Sequence, residues 1–157
     1  GFREGHGGAT HTAVTSYYML LEHFVTLPKL EQQRWVVTPF DVKKLTKWIV
    51  SLQGDGFRGR TCKPRDCCYT YWCGSLFSIL RENDNIDPLF VNPRPNSFFI
   101  QYCENTSRGG FGKNEDAQSE ILHTFYAIAG TSLMKTYDDT QQDLKEKNEN
   151  DSEETKP

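Results

Sequence analysis

Hydrophobic residues follow the spacing of amphipathic helices along most of the chain. Five segments combine apolar residues at three- and four-residue intervals with turn residues at their ends, a pattern typical of helices in globular proteins. They span residues 10–24, 38–53, 67–80, 96–105 and 118–135. The stretch NDNIDPLFVNPRPN (83–96) holds three prolines and is predicted to be a loop. No segment alternates convincingly between apolar and polar residues, so the sequence predicts an all-α protein.

The segment TPFDVKKLTKWIVSLQ (38–53) carries the clearest helix signal. Thr38 is expected to be the N-cap, with Pro39 at the first helical position and Asp41 three residues after the cap. The apolar face is then formed by Val42, Leu45, Ile49 and Leu52, with Trp48 beside them.

The C-terminal end differs in composition from the rest of the chain. From Asp138 onward the sequence reads DDTQQDLKEKNENDSEETKP, which is polar and charged with a single leucine. Such a segment buries too little apolar surface to offset the entropy lost on ordering. We therefore expect residues 138–157 to be an acidic disordered tail and residues 1–137 to be the folded region.

Composition and charge narrow the class of protein. Of the 157 residues, 36% are apolar and 25% charged, as expected for a globular domain. The net charge of −3 gives no general attraction to the phosphates of nucleic acids or membranes. No apolar run approaches the ~20 residues needed to span a bilayer. The five cysteines are odd in number and spaced unlike a disulfide framework, which favours a reducing compartment and predicts a cytoplasmic protein.

One short phrase recurs along the chain. QGDGFRG (53–59) and TSRGGFG (106–112) are versions of the same glycine–phenylalanine turn, and EGHGGAT (4–10) is related to both. The phrases recur about every fifty residues and each precedes a helix, which indicates helical hairpins that bury their faces only by stacking on neighbours.

The segment RTCKPRDCCYTYW (60–72) raises the question of a metal site. In mid-helix, Asp66 and Cys68 would point in nearly opposite directions, but at a helix N-terminus both can reach one ion. That end of a helix also favours a carboxylate or a thiolate. The alternative, an aspartate N-cap followed by a buried cysteine, remains open from this segment alone.

The repeat suggests a third ligand. His123 lies near the start of the helix after the second GGFG turn, almost at the place that Cys68 holds in its own repeat. In a ring of hairpins, equivalent helix ends meet on one rim, so His123 is expected to approach Asp66 and Cys68. Three protein ligands with a fourth position open is the pattern of a catalytic zinc. The other cysteines, Cys62, Cys67, Cys73 and Cys103, are interpreted as bystanders.

Cations are expected on the same rim. Arg60 and Lys63 precede the helix that Cys68 opens, and His6 occupies the corresponding turn of an earlier repeat. Together with helix N-termini they would form a receptor for a diphosphate, although solvated loop charges would explain them equally well. Tyr69, Tyr71, Trp72 and Phe77 add aromatic surface for the core or for an apolar cavity.

Three motifs resemble one known family. GFRGRTCKPRDCCYTYW resembles the G-F-x-G-R-x-x-K-x-x-D-x-C-Y-S-F-W signature of protein prenyltransferase β subunits. GGFGKNEDAQSEILHTFYAIAGTSLM is similar to their later G-G-F…H-x-x-x-x-I-x-G-L-S-L-M block, and EGHGGATHT resembles their E-x-H-G-G-x-T segment. The resemblance covers residues 1 to about 136 and keeps the family's order.

The resemblance implies an α/α toroid, a barrel of helical hairpins with the active site in a central funnel. Zinc, one per β subunit, would be held by Asp66, Cys68 and His123. His6, Arg60, Lys63 and Tyr69 would bind the isoprenoid diphosphate, and Trp72 would contact the lipid. Since β subunits of this family are about twice as long, the chain is expected to be the C-terminal part of the domain and a partial ring.

Two positions bear on the subtype that the resemblance implies. Lys113 stands where farnesyltransferases and Rab geranylgeranyltransferases carry an aspartate that, in farnesyltransferase, helps to recruit magnesium. Leu122 precedes the zinc histidine where farnesyltransferases have tyrosine, which suits the acceptor pocket of the type I enzyme. Both favour a geranylgeranyltransferase type I β subunit that needs no magnesium. Cys67 and Glu120 depart from the family pattern, because small or polar residues and an aspartate are usual there.

The partners implied are an α subunit in a heterodimer, geranylgeranyl diphosphate, and CaaX-box proteins such as small GTPases. No nucleic acid and no transmembrane segment are expected. The alternatives are a farnesyltransferase or Rab geranylgeranyltransferase β subunit, and a non-catalytic toroid fragment that acts as a binding scaffold.

Overall fold

The computed structural model describes residues 4–25 and 39–154. Over these ranges the chain is helical, with two isolated β-bridges, Arg58 to Arg65 and Glu104 to Phe111, and no strand. The helices are α1 (Gly7–Val25), α2 (Val42–Ser51), α3 (Cys68–Asp84), α4 (Pro93–Tyr102) and α5 (Ile121–Glu154), with a 3-10 turn at Pro88–Phe90. The predicted all-α class is confirmed.

The helices pack as successive hairpins. Helix α3 lies between α1 and α5, α2 packs on α3, and α4 packs on α5. The odd-numbered helices are thus neighbours of one another, while each even-numbered helix pairs with the helix that follows it. This alternation is the arrangement expected of an α/α toroid.

The core lies where α1, α2, α3 and α5 meet. Its fully buried members include Ile49, Leu52, Phe57, Leu76, Phe77, Leu80, Met134 and Tyr137. Helices α3 and α5 approach closely at Gly74, where an added Cβ would lie 2.9 Å from Leu133 and from Met134. The Tyr137 hydroxyl donates a hydrogen bond to the Gly74 carbonyl (3.2 Å) at this crossing.

Helix α2 begins later than predicted. Asp41, rather than Thr38, is its N-cap: its backbone is extended and its carboxylate accepts a hydrogen bond from Lys44 N at 3.0 Å. Pro39 therefore precedes the helix, and Thr38 lies outside the described residues. The predicted apolar face is confirmed. Its buried and half-buried residues are Val42, Leu45, Ile49 and Leu52, with Trp48 beside them.

The predicted loop 83–96 is helical at both ends. Helix α3 continues to Asp84, and α4 begins at Pro93 with Asn92 as its N-cap. Prolines fit the first turn of a helix because backbone N–H groups there have no partner within the helix. The prolines of this segment therefore indicate the first turn of α4 as well as a loop.

Helix α5 extends well beyond residue 137, where a disordered tail was expected to begin. Asp138 pairs with Arg94 (3.4 Å), and the Gln141 amide donates to the carbonyls of Pro88 (3.1 Å) and Val91 (2.8 Å). These polar contacts fix the helix against the 3-10 turn and α4 without burying apolar surface. The disordered tail was expected because the segment can bury little apolar surface, and that argument does not include such polar contacts. From 145 to 150 the side chains are exposed.

None of the described helices is both long and apolar enough to cross a bilayer.

Candidate functional site

The first part of the site is the start of α3. The Asp66 backbone N–H donates to the Phe57 carbonyl (3.0 Å), which closes the loop that follows the first glycine–phenylalanine turn. The Asp66 carboxylate then accepts from Cys68 N at 3.1 Å. Asp66 and Cys68 are both buried. The N-cap of α3 is Cys67, so Asp66 precedes the cap by one residue rather than being the cap itself. Its carboxylate accepts from the first helical N–H and also lies next to the thiol.

The start of α5 repeats this arrangement. The Glu120 backbone N–H donates to the Phe111 carbonyl (3.2 Å). Its carboxylate accepts from Leu122 N (3.0 Å) and from His123 N (2.8 Å). The same carboxylate contacts Nδ1 of the His123 ring. Because Glu120 occupies Nδ1, the Nε2 atom of His123 is directed towards the α3 loop.

These two helix starts bring three potential metal ligands together. A carboxylate oxygen of Asp66, Sγ of Cys68 and a ring nitrogen of His123 all lie within 4.8 Å of one another. His123 Nε2 is 3.2 Å from Asp66 Oδ1. Oxygen, sulfur and nitrogen donors of these types fit Zn²⁺, and the carboxylate behind His123 is the usual outer partner of a zinc-bound histidine. In the described part of the chain, no other trio of His, Cys, Asp or Glu is grouped in this way.

The electrostatics of the trio also suit a cation. Burial, followed by the charge of Asp66, raises the pKa of the Cys68 thiol well above its ordinary range. A bound metal ion reverses this effect, because its charge favours the thiolate. Lys113 Nζ is 3.9 Å from Asp66 Oδ2.

Cys67, which departs from the family pattern, does not join the trio. Its side chain is fully buried, and Sγ donates to the Gly112 carbonyl at 3.0 Å. The neighbouring Cys103 thiol and burial raise the pKa of the Cys67 thiol. All five cysteines are free thiols.

The residues predicted to bind a diphosphate are only partly assembled. The Tyr69 hydroxyl and His6 Nε2 are 3.0 Å apart. Burial raises the pKa of Tyr69 to about 12, so it stays a hydrogen-bond donor at neutral pH. Arg60 lies 3.9 Å from the Glu4 carboxylate. Lys63 is exposed and forms no ion pair with any described residue.

A cavity of about 690 Å³ opens beside this rim. It is lined by Glu4, Gly5, His6, Ala9, Thr10, Ala13, Val14, Phe40, Leu45 and Arg60. His6 and Arg60 thus face the cavity, whereas none of the three potential metal ligands lines it. The trio is a compact cluster of two buried residues and one partly buried histidine, and the cavity is a separate space next to it.

Aromatic rings gather around Trp72. The ring of Trp72 lies 5.0 Å from that of His11 and 4.5 Å from that of Tyr126, and Tyr71 contacts all three. Leu122 is half-exposed. Sequence reasoning missed His11 and Tyr126. The one signal for them in the sequence is that each lies one helical turn after a residue of a family motif, on α1 for His11 and on α5 for Tyr126.

Comparisons with known proteins agree with this architecture. Residues 1–157 match the family model of the prenyltransferase alpha-alpha toroid domain. Two similar proteins are geranylgeranyl transferase type-1 β subunits, from Dictyostelium discoideum (31% identical over 131 residues) and Arabidopsis thaliana (28% over 134 residues). The alignments cover 83% and 84% of this chain but 32% and 33% of the relatives, so the chain spans about a third of their length.

A farnesyltransferase β subunit from Dictyostelium discoideum is also similar, at 27% identity over 118 residues, which is 60% of this chain and 24% of that protein. Among solved structures, Candida albicans protein geranylgeranyltransferase-I complexed with GGPP superposes with a TM-score of 0.52 at 23% identity. That match covers 84% of this chain and 36% of the other. It supports the toroid fold. With its whole length matching the family model, the chain belongs to the prenyltransferase alpha-alpha toroid family.

Proposed function

We propose that this chain is, or is part of, the β subunit of a zinc-dependent protein geranylgeranyltransferase type I. The reaction transfers a geranylgeranyl group from geranylgeranyl diphosphate to the cysteine of a C-terminal CaaX motif. The observation that carries the proposal is the trio Asp66, Cys68 and His123, whose ligand atoms lie within 4.8 Å of one another on two neighbouring helix starts.

The trio supplies three protein ligands and leaves one position for an incoming thiol. Bound there, zinc would supply the positive charge that turns the acceptor's thiol into a thiolate at neutral pH. Glu120 holds Nδ1 of His123, which keeps Nε2 directed at the ligand position. Asp66 and Cys68 are held by the first turn of α3. These contacts orient the ligands before an ion arrives.

The acceptor sulfur attacks C1 of the lipid, and the bond between C1 and the diphosphate oxygen breaks. Negative charge then grows on the departing diphosphate. In this proposal His6, Arg60, Lys63, Tyr69 and Lys113 stabilise that charge, while Trp72 and Leu122 border the lipid and the acceptor. Hydrogen-bond donors placed where charge develops act on the transition state, so removing one typically costs roughly 3–4 kcal/mol of barrier.

Lys113 favours the type I enzyme over its relatives. Its ammonium group lies 3.9 Å from Asp66 Oδ2, next to the proposed metal centre, and its side chain is 55% exposed. From there it can supply a fixed positive charge to the diphosphate, so magnesium is not required. A farnesyltransferase or Rab-type β subunit, and a scaffold without activity, are the competing functions.

The proposed partners follow from the reaction. The α subunit completes a heterodimer, and the acceptors are CaaX proteins such as small GTPases, most often with leucine at the last position. Free thiols throughout the described chain suit the cytoplasm, which is the proposed location.

The first test is the zinc content of the purified chain, measured for the unaltered protein and for Cys68→Ala and His123→Ala. One zinc per chain is expected, with loss in both variants. Cys62→Ala is the matched control, because it removes an exposed thiol outside the trio and should retain the metal. A folded, unaltered chain without zinc would reject the metal centre and leave the scaffold function.

A second assay distinguishes the enzymes. With an added prenyltransferase α subunit, transfer to a peptide ending in leucine is compared between geranylgeranyl and farnesyl diphosphate, with and without magnesium. Transfer of the longer lipid without magnesium supports type I. Preference for farnesyl diphosphate, or strict dependence on magnesium, would reject that assignment and favour farnesyltransferase.

A further inference from the structure

Arg65 lies between the two loops that carry the proposed metal ligands. It directly precedes Asp66, and its guanidinium contacts two carboxylates on opposite sides. Nη1 pairs with Asp55, in the first glycine–phenylalanine turn, and Nη2 lies 3.1 Å from Glu115 Oε1. Glu115 belongs to the loop between the second turn and His123. One side chain therefore bridges the two loops.

The packing around Arg65 fixes where this bridge lies. The guanidinium carbon is 4.5 Å from the centre of the Phe99 ring, and the side chain is only 29% exposed. Gly56 allows the ring to sit there, since an added Cβ would lie 2.5 Å from it. A planar guanidinium that stacks on an aromatic ring and pairs with two carboxylates has little freedom to move.

The segment from the second turn to His123 has other polar contacts with the start of α3. Lys113 Nζ lies 3.9 Å from Asp66 Oδ2, and Cys67 Sγ lies 4.0 Å from the His123 carbonyl oxygen. Cys67 N donates to the Lys113 carbonyl (3.0 Å), and Cys67 Sγ donates to the Gly112 carbonyl. These two hydrogen bonds from Cys67 hold the beginning of the second loop. Arg65 holds its middle, between those bonds and His123.

We propose that Arg65 is a positioning residue for the metal centre, a role that rests on the proposed function. By fixing the second loop relative to Asp66 and Cys68, it sets the distance at which His123 Nε2 approaches them. A chain without this bridge still folds, because the helix contacts remain, but its third ligand is less well placed and the metal binds more weakly.

An ordinary ion pair elsewhere provides the control. Arg94 Nε lies 3.4 Å from Asp138 Oδ1 and joins α4 to α5, outside both loops. Arg65→Met and Arg94→Met therefore each remove one guanidinium that joins two elements. Only Arg65→Met breaks a contact between the two loops that lead to the metal ligands.

The test is a titration of the metal-free 157-residue chain with Co²⁺, a spectroscopic substitute for Zn²⁺, followed by visible absorption and by the thiolate-to-cobalt band. Arg65→Met should raise the Kd roughly tenfold or more, as residues that orient metal ligands typically do. Glu115→Gln should act in the same direction and add little in the double variant. Arg65→Lys should recover part of the affinity, because an ammonium group cannot bridge two carboxylates in the same way.

The outcomes separate the two proposals. If the unaltered chain binds Co²⁺ and Arg65→Met binds it equally well, the positioning role is wrong while the metal centre stands. If Arg94→Met weakens binding as much as Arg65→Met, the effect is general destabilisation and the role is again wrong. A folded, unaltered chain that binds neither Co²⁺ nor Zn²⁺ overturns the metal centre, and the role of Arg65 with it.

Discussion

The starts of α3 and α5 have the same construction and different chemistry. In each, the backbone N–H of an acidic residue donates to the carbonyl of the turn phenylalanine, and the carboxylate accepts from the backbone N–H two residues further on. At α3 the acid is Asp66, whose Oδ1 also lies 3.2 Å from His123 Nε2. At α5 the acid is Glu120, which contacts the other ring nitrogen of His123.

Two features distinguish the helix starts: the acid of α5 has one more methylene, and its ligand lies one residue further from the acid. The carboxylate of the shorter Asp66 contacts Cys68 N and lies near His123 Nε2 on the neighbouring helix, whereas the longer Glu120 reaches the histidine ring of its own helix. The ligand on α3 is the second residue after the acid, Cys68, while on α5 it is the third, His123. Leu122, which occupies the place equivalent to Cys68, is half-exposed. A repeated backbone thus yields an acid that can bind metal and an acid that orients a ligand.

The largest expected difference between the two acids is in metal affinity. Asp66→Asn keeps an oxygen that can accept from Cys68 N but removes a charged ligand, so we expect it to abolish stoichiometric zinc binding. Glu120→Gln loses only the orienting carboxylate, which should weaken binding roughly 10–100-fold. Calorimetric titration of the metal-free proteins measures both. Equal losses in the two variants would contradict the assignment of different roles.

The next prediction concerns stability at two equivalent loop positions, Gly59 and Lys113. An added Cβ at Gly59 would lie 2.2 Å from the Tyr69 ring. Gly59→Ala should therefore destabilise the chain by about 1–3 kcal/mol, a typical cost of overpacking, and separate Tyr69 from His6. Urea unfolding at neutral pH measures the change. Lys113→Ala is the matched variant and should leave the midpoint almost unchanged, since its side chain is more than half exposed.

A smaller effect is expected from the backbone of the second turn. Gly109 has φ of 78°, and no atom lies within 4 Å of its would-be Cβ. Gly109→Ala should cost about 1–2 kcal/mol from the left-handed backbone alone. The first turn has Asp55 at the equivalent position, with no positive φ, so Asp55→Ala should carry no such backbone cost. Thermal unfolding of the two variants tests this. An unchanged Tm for Gly109→Ala would contradict the predicted backbone cost.

The smallest effect is expected at Asp41, an acid cap remote from the trio. Its hydrogen bond from the Lys44 backbone lowers the pKa of the Asp41 carboxyl below its ordinary value of 3.8. A lowered pKa in the folded state contributes stability above about pH 3.8 that is lost as the pH falls through the folded value. Asp41→Asn should therefore be slightly less stable than the unaltered chain at neutral pH and equal to it in strong acid. Its zinc affinity should not change.

The sequence was informative where repetition constrains the fold. The two glycine–phenylalanine phrases indicated equivalent helix starts. This equivalence predicted that His123 lies close to Asp66 and Cys68. Helical periodicity predicted the buried face of α2. These features depend on spacing alone, which a sequence displays directly.

Other features depend on side-chain direction in loops, which periodicity does not determine. Nothing in the sequence indicated that Arg65 would bridge Asp55 and Glu115, or that Glu120 would reach the ring of His123. The cap of α2 was misplaced because Thr38 and Asp41 are both of a residue type that favours caps, and the sequence does not show which one accepts the first helical N–H groups. The ordered start of the polar end depends on Gln141, whose two carbonyl partners are distant in sequence.

Helix α5 has a practical consequence for anyone who shortens this protein. The helix that presents His123 near its start is the same helix that continues into the polar end, without a loop between them. A truncation after residue 137 would remove the Asp138 and Gln141 contacts with α4 and the 3-10 turn. It would also leave Tyr137, which is 1% exposed, as the terminal residue of the core. A cut placed after residue 144 keeps those contacts, and the side chains that it removes between 145 and 150 are exposed.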